Sequence, residues 1–299
     1  MEIKNVQMEA AKAENPTALR ILWREIFRDK LAFISLIFLV LVTATVYGIS
    51  IILDQDEIVK VDLFAIHQPP NDEFILGTDY GGRDVFGQLI IGTRNSLTIG
   101  FLVTLMSGII GIVFGLVSGY FGGHIDNAMM RILDFFNVLP FLMIVIVFVS
   151  LVPKYNTVTF SLIMTVFLWM GIARLIRSKA LQEKELDYVQ ASRTLGSSHF
   201  KIIFKEVMPN ITSLIVVTMT LNLAANIGIE SGLSFLGFGL PESTPSLGTL
   251  LSYATNPQTL ESRWWIWIPA AILILMLMLA VRNVGEALRR AADSRQRRG

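Results

Sequence analysis

The sequence predicts an all-α integral membrane protein with six transmembrane helices and both termini in the cytoplasm. Three observations carry that prediction. Hydrophobic residues make up 53% of the 299 and charged residues only 16%, against about 25% charged in an average soluble domain, and mean hydropathy is +0.58. Six apolar segments are long enough to cross a bilayer core of about 30 Å as helices. With the N-terminus inside, 20 of the 25 lysines and arginines fall on the inner side, leaving Lys60, Arg83, Arg94, Lys154 and Arg263 outside; such an excess marks the cytoplasmic face.

The first segment, 31–53, follows a charged leader, 1–30. Its apolar run is too long for a signal peptide, and Asp54-Gln55-Asp56-Glu57 follows it in place of a small-x-small cleavage site, so it is expected to be a retained span. An outer segment, 54–95, comes next. Its Pro69-Pro70 breaks any regular element, and Val85 to Ile91 is expected to form an interfacial helix before the second span. That span, 96–121, carries two small-residue rows, Gly100/Thr104/Gly108 and Gly111/Gly115/Gly119. Such rows let helix backbones approach closely, as a sliding interface or as static packing. The third span, 132–152, contains Pro140, and the fourth is 158–176. The fifth, 211–230, places Thr218, Asn222, Asn226 and Glu230 four apart in one polar row. Amides and carboxylates are costly against hydrocarbon and face a bundle interior or water. The row therefore lines a translocation path or a dimer seam, or makes interhelical hydrogen bonds. The sixth span, 264–283, opens with Trp264, Trp265 and Trp267, rings suited to the outer interface, and a basic inner tail, 286–299, ends the chain. Between spans five and six, Leu247, Leu250, Leu251 and Ala254 repeat at helical spacing, as in a short helix at the outer mouth or a plug in the bundle.

Between spans four and five lies a polar stretch, about 186–209. Tyr188, Ala191, Ser192 and Leu195 form one i, i+3, i+4, i+7 stripe, and Phe200, Ile203, Phe204 and Val207 another. Gly196-Ser197-Ser198 separates them as a hinge, and Pro209 is expected to stop the second. Helices this short are marginal alone in water, so each needs a surface to lean on: this protein, lipid headgroups, or a partner.

Composition and motif content also exclude. A net charge of +1 gives no field for nucleic acid, and cysteine is absent, which removes thiolate chemistry. His67, His124 and His199 lie outside the spans with no metal-ligand spacing, so no metal site is expected. There is no G-x-x-x-x-G-K-[ST] phosphate loop, and Gly232-Leu233-Ser234-Phe235 lacks the glycine of a nucleophile elbow, so no catalytic residue is assigned. A secondary transporter acting alone is the competing class. It commonly needs ionisable residues within spans, and only Glu230, with Asp134 near an inner boundary, comes close.

Val189-Gln190-Ala191-Ser192, then Gly196, Ile202-Ile203 and Met208-Pro209-Asn210 resembles the EAA loop of ABC importer permeases, with Gln190 in place of the family's Glu and Ser192 in place of its second Ala. Leu76-Gly77-Thr78-Asp79 with Gly82-Arg83-Asp84 is similar to the LGTDxxGRD element of the dipeptide, oligopeptide and nickel importers. So are Glu230 to Gly239, Thr244 to Gly248, Trp264-Trp265 with Pro269, and Asn283-Val284-Gly285 with Leu288-Arg289. The resemblance is to the C-type permease of such importers. It implies a type I permease core over 96–285, paired with a second homologous permease. It also implies two cytoplasmic ATPases, which bind ATP and Mg so that this chain needs no cofactor, and an external binding protein that delivers the cargo. Asp187, Gln190, Ala191, Ser192, Leu195 and Gly196 would then meet an ATPase. The implied cargo is di- or oligopeptides, or alternatively nickel or another small solute, and the implied location is the bacterial plasma membrane.

Overall fold

A computed structural model describes residues 26–152 and 155–296; most of the leader, Lys154 and the last three residues lie outside the described residues. The fold is helical. Helix α1 spans Lys30–Ser50, a short α2 Gln55–Ile58, α3 Val85–Phe121, α4 Gly123–Val138, α5 Phe141–Leu151 and α6 Thr157–Glu183. Helix α7 follows at Asp187–Thr194, α8 at His199–Ile202, α9 at Met208–Phe235, α10 at Leu247–Ser252, α11 at Pro257–Ser262 and α12 at Trp264–Gln296. Starts are set by side chains that accept otherwise unpaired first-turn N–H groups. Asp29 accepts from Leu31 N at 2.9 Å, Asp84 from Gly87 N at 2.9 Å and Asn156 from Thr159 N at 3.0 Å. Ser246 and Thr249 cap α10 reciprocally.

Among the described residues five helices are long and apolar enough to cross a membrane, or up to six when the pair α4 and α5 counts as one span. That pair corrects the expected third span, 132–152. It begins at Gly123 and bends by 77° where Leu139 turns extended before Pro140, the conformation that a following proline favours. Helix α3 corrects another expectation. Val85 to Ile91 is no separate element but the first turns of a 37-residue helix, about 55 Å at 1.5 Å per residue, which carries the second span well past one bilayer face. Helix α12 likewise runs on to Gln296, beyond the expected end at 283.

Helix α3 is the central post, packed most extensively on α6. Its two glycine rows serve different neighbours. A Cβ on Gly111, Gly115 or Gly119 would come within 2.8 Å of a backbone oxygen of α6, those of Trp169, Ala173 and Arg177 respectively. A Cβ on Gly100 would meet Ile227 and one on Gly108 would meet Met219, both on α9. The α3–α6 row is therefore tight packing inside one chain. Buried Asp126 on α4 receives two 2.5 Å hydrogen bonds from Arg177, tying the bent pair to α6. Phe101, Leu105 and Ile109 on α3 and Ile272, Leu275 and Leu279 on α12 stay exposed, which suits a surface that meets lipid tails.

Before the start of α3, Leu76 to Asp84 folds around one buried carboxylate. Asp79 is fully enclosed and accepts from Gly81 N at 2.8 Å, Arg83 N at 3.0 Å, Arg83 Nε at 2.9 Å and Gln88 Nε2 at 3.0 Å. Gly82 holds φ +72, and a Cβ there would lie 1.8 Å from Asp62 O, so this turn admits only glycine. The motif is thus a structural clasp at the start of α3.

Candidate functional site

Helix α7 and the bend after it build the site. Val189, 1% exposed, anchors α7 in a cluster with Ile176 and Ala180 of α6, Ile202, Ile203, Val207 and Ile211. Its other side is left open. Asp187, Gln190, Ala191 and Gly196 are exposed, Leu195 is 86% exposed, and Phe200 beyond the bend is 71% exposed. Val189 takes the inward position, and the expected stripe divides: Ala191 and Leu195 point away from this chain, while Tyr188 and Ser192 bond within it. Gly196 sits at φ +80, a left-handed conformation that closes α7 and that glycine adopts without steric cost.

Pro209 does not stop the second segment. His199 to Phe235 is one continuous helix with a wide π turn over Ile203–Val207, in which Met208 N bonds Ile203 O. The turn gives the ring of Pro209 room and absorbs its missing N–H, while Asn210 Nδ2 donates to Glu206 O at 2.7 Å. The wide turn also rotates the face, so the second stripe divides. Ile203 and Val207 are buried, whereas Phe200 and Phe204 lie outside with rings 4.5 Å apart.

Ser192 is half-buried; its Oγ donates to Glu206 Oε1 at 2.5 Å across the bend. Gln190 Nε2 donates to Lys184 O at 2.9 Å, a bond that the carboxylate of a glutamate could not make. Tyr188 Oη donates to Glu183 Oε2 at 2.8 Å and accepts from Asn210 Nδ2 at 3.0 Å. Burial first, then the hydrogen bond to Glu183, pushes the Tyr188 hydroxyl up to about 12, so it stays a donor at neutral pH.

Beside this element a cavity of about 860 Å³ opens between α6, α9 and α12. Its polar groups include Lys179, Glu183, Tyr188, Asn210, Thr218 and Arg289, and its walls include Leu175, Leu214, Val217 and Leu221. The polar row of α9 only begins here. Thr218 lines the cavity, and half-buried Asn222 donates to Thr218 O at 2.8 Å. For Asn226 and Glu230 the geometry favours the hydrogen-bonding alternative: at 2% and 0% exposure they are enclosed within this one chain. Asn226 Nδ2 donates to Thr104 Oγ1 at 2.8 Å. Glu230 accepts from Ser96 and Ser234, each at 2.8 Å, and from Ser231 at 3.3 Å. At 3.6 residues per turn, a step of four drifts by about 40°, so twelve residues carry the row from the cavity onto α3.

Ser96 was not legible in advance as a partner of Glu230, because it comes from a separate stretch on α3, whereas Ser231 and Ser234 lie beside Glu230 on α9. Ser96 also helps to seat the segment that leads into α10. Leu247 N bonds Ser96 Oγ at 3.1 Å, Asn95 Nδ2 bonds Pro245 O at 2.7 Å, and Leu247 and Leu250 are fully buried, so α10 is lodged in the bundle. Among the described residues no group of three or more His, Asp or Glu is placed to hold a metal ion. We expect Asn226→Leu to lower stability by about 0.6 kcal/mol, the average for an interhelical hydrogen bond in a membrane protein, with uptake unchanged. Calorimetry of the purified protein and a transport assay check it.

Helices that cross the membrane around a central post, with a short bent element hung between two of them beside a cavity, define a membrane permease. Residues 111–297 match the family of binding-protein-dependent transport system inner membrane components. The chain is 48% identical over 273 residues, 91% of it and 93% of the relative, to the oligopeptide transport system permease protein OppC of Lactococcus lactis subsp. cremoris. It is 36% identical over 296 residues, 99% of it and 91% of the relative, to the dipeptide transport system permease protein DppC of Bacillus subtilis. The fold is similar to a chain of the inward-facing MetNI methionine ABC transporter, with TM-score 0.52 and 19% identity over 69% of this chain and 97% of that one. This protein belongs to the family of binding-protein-dependent transport system inner membrane components; it is a multi-pass protein of the bacterial plasma membrane.

Proposed function

We propose that this chain forms half of the translocation pathway of an ABC importer for di- or oligopeptides, with six spans and both termini in the cytoplasm. A second homologous permease forms the other half. Two cytoplasmic ATPases bind ATP and Mg, and an external binding protein delivers the cargo. This chain has no catalytic residue and no cofactor of its own; it converts the movement of the ATPases into a change of access.

One observation carries the reading. The short bent element between α6 and α9 presents Leu195 and Phe200 to the outside at 86% and 71% exposure, on a segment too polar to lie in hydrocarbon. Large apolar side chains exposed on a polar rim mark a protein-docking surface. The cavity adjoining this element supplies cations, a carboxylate, amide and hydroxyl groups and apolar walls, which together suit a zwitterionic peptide. The family resemblance over most of the chain and the names of its relatives support peptides over nickel.

An affinity tag on this chain should bring down a second permease and the ATPases in stoichiometric amounts, and a photo-crosslinker at Ser197 should capture an ATPase. A chain purified alone and still active in transport would point to a secondary transporter instead. Saturable uptake of nickel but not of tri-alanine by the reconstituted complex would correct the cargo.

A further inference from the structure

The relay through Tyr188 joins the two helices that bound the cavity on its inner side. Asn210 lies in the first turn of α9 and Glu183 at the end of α6, and both bond the one hydroxyl of Tyr188. Glu183 is buried at 7% exposure, and its other oxygen lies 3.3 Å from Lys179 Nζ. Asn210, Tyr188, Glu183 and Lys179 therefore form one continuous polar chain along the rim of the cavity, and all four line it.

The geometry of α7 makes that chain movable. Its body is short and is held by the buried Val189, the Tyr188 hydroxyl, the bond from Gln190 to Lys184 O, and the Ser192–Glu206 bond. The last of these ends on the π turn, and a wide turn within a long helix often marks a functional hinge. The left-handed Gly196 gives a second point of rotation. Tyr188 and Ser192 are one helical turn apart, so a push on α7 acts on α6 through Tyr188 and on the π turn through Ser192 together.

We infer that Tyr188 is the positioning residue that transmits a displacement of α7 to the inner mouth of the cavity, its hydroxyl latching the end of α6 to the start of α9. When α7 is displaced, the phenol leaves Glu183 and Asn210, the two helices lose their tie, and the mouth widens; its return restores the relay. This rests on the reading of α7 as the ATPase-docking element and adds the link from that surface to the cargo space.

The test uses the assembled transporter in lipid nanodiscs. Spin labels at Gln182→Cys and Thr212→Cys, both exposed positions, report the separation of α6 from α9. In the otherwise native complex this distance should differ between the ATP-bound and ADP-bound states. In Tyr188→Phe, which keeps the ring, that difference should shrink, and tri-alanine taken up per ATP hydrolysed should fall about fivefold, the equivalent of one lost hydrogen bond. Asn210→Leu removes the other arm and should act the same way, which covers the case in which the tyrosine variant fails to assemble. Unchanged distances and an unchanged uptake ratio in both variants would overturn the latch. A crosslinker at Ser197 in the same preparations separates the two readings: capture of the ATPase with no effect of Tyr188→Phe removes the latch alone, whereas failure to capture it removes the docking surface and the latch with it.

Discussion

Gly196→Pro is expected to cut peptide uptake by about tenfold or more while leaving the protein inserted in the membrane, a loss that matches the energies by which coupled sites influence each other. Gly196 sits at φ +80, and proline is confined near −65°. Leu195 sits at φ −74 and ψ 2, far from the extended backbone that a following proline favours, and the bond from Gly196 N to Arg193 O at 3.1 Å is lost because proline has no N–H. The end of α7 must therefore open. Leu195 and Phe200 would no longer present one surface, although the buried contacts of Val189 and Ile202 hold both segments to the body. ATP hydrolysis by the reconstituted complex should persist and lose its dependence on cargo. Uptake assays in proteoliposomes, with protease protection to confirm insertion, measure both. Normal transport by this variant would show that the bend is not the coupling element.

Gly115→Leu is expected to have the largest effect on folding. A Cβ there would sit 2.6 Å from Ala173 O, 2.8 Å from Ile176 Cβ and 2.9 Å from Arg177 N. Two of these are backbone atoms inside α6 and cannot rotate away, so α3 and α6 must separate along their closest contact. Overpacking of this kind costs about 1–3 kcal/mol and sometimes more, and the buried cluster of Leu116, Ile172, Ile176 and Ala180 lies beside it. Gly232→Ala on α9 is the control, since nothing lies within 4 Å of a Cβ at that position. Thermal unfolding of the two purified variants should show a marked loss for the first and almost none for the second. Equal behaviour would mean that the glycine row is not the tight seam between these helices.

Much of the architecture was legible because lipid imposes a strong rule on sequence. A backbone within hydrocarbon must satisfy its own hydrogen bonds, so long apolar runs become helices whatever packs on them; α3, α6, α9 and α12 each contain an expected span, and α1 covers most of another. The hinged polar element was legible for a related reason: Gly196 and the polar residues around it cannot belong to a span. The breaks were less so. Pro140 and Pro209 look alike in the sequence, yet Pro140 sits at a 77° bend and Pro209 lies within a continuous helix. The difference is the π turn before Pro209, stabilised by Asn210 and by the cluster around Ile203 and Val207.

What the amino-acid order alone determined is the count of hydrophobic segments to within one and the location of the hinged polar element, because hydropathy and the conformational freedom of glycine act locally. Only the tertiary structure decided which side of each helix matters. It turned Val189 inward and Leu195 outward, wound Asn226 and Glu230 away from the cavity, and brought Tyr188 between Glu183 and Asn210. Those outcomes depend on which helices pack against which, and a periodic pattern gives the angle between residues on one helix but not the direction in which its neighbours lie.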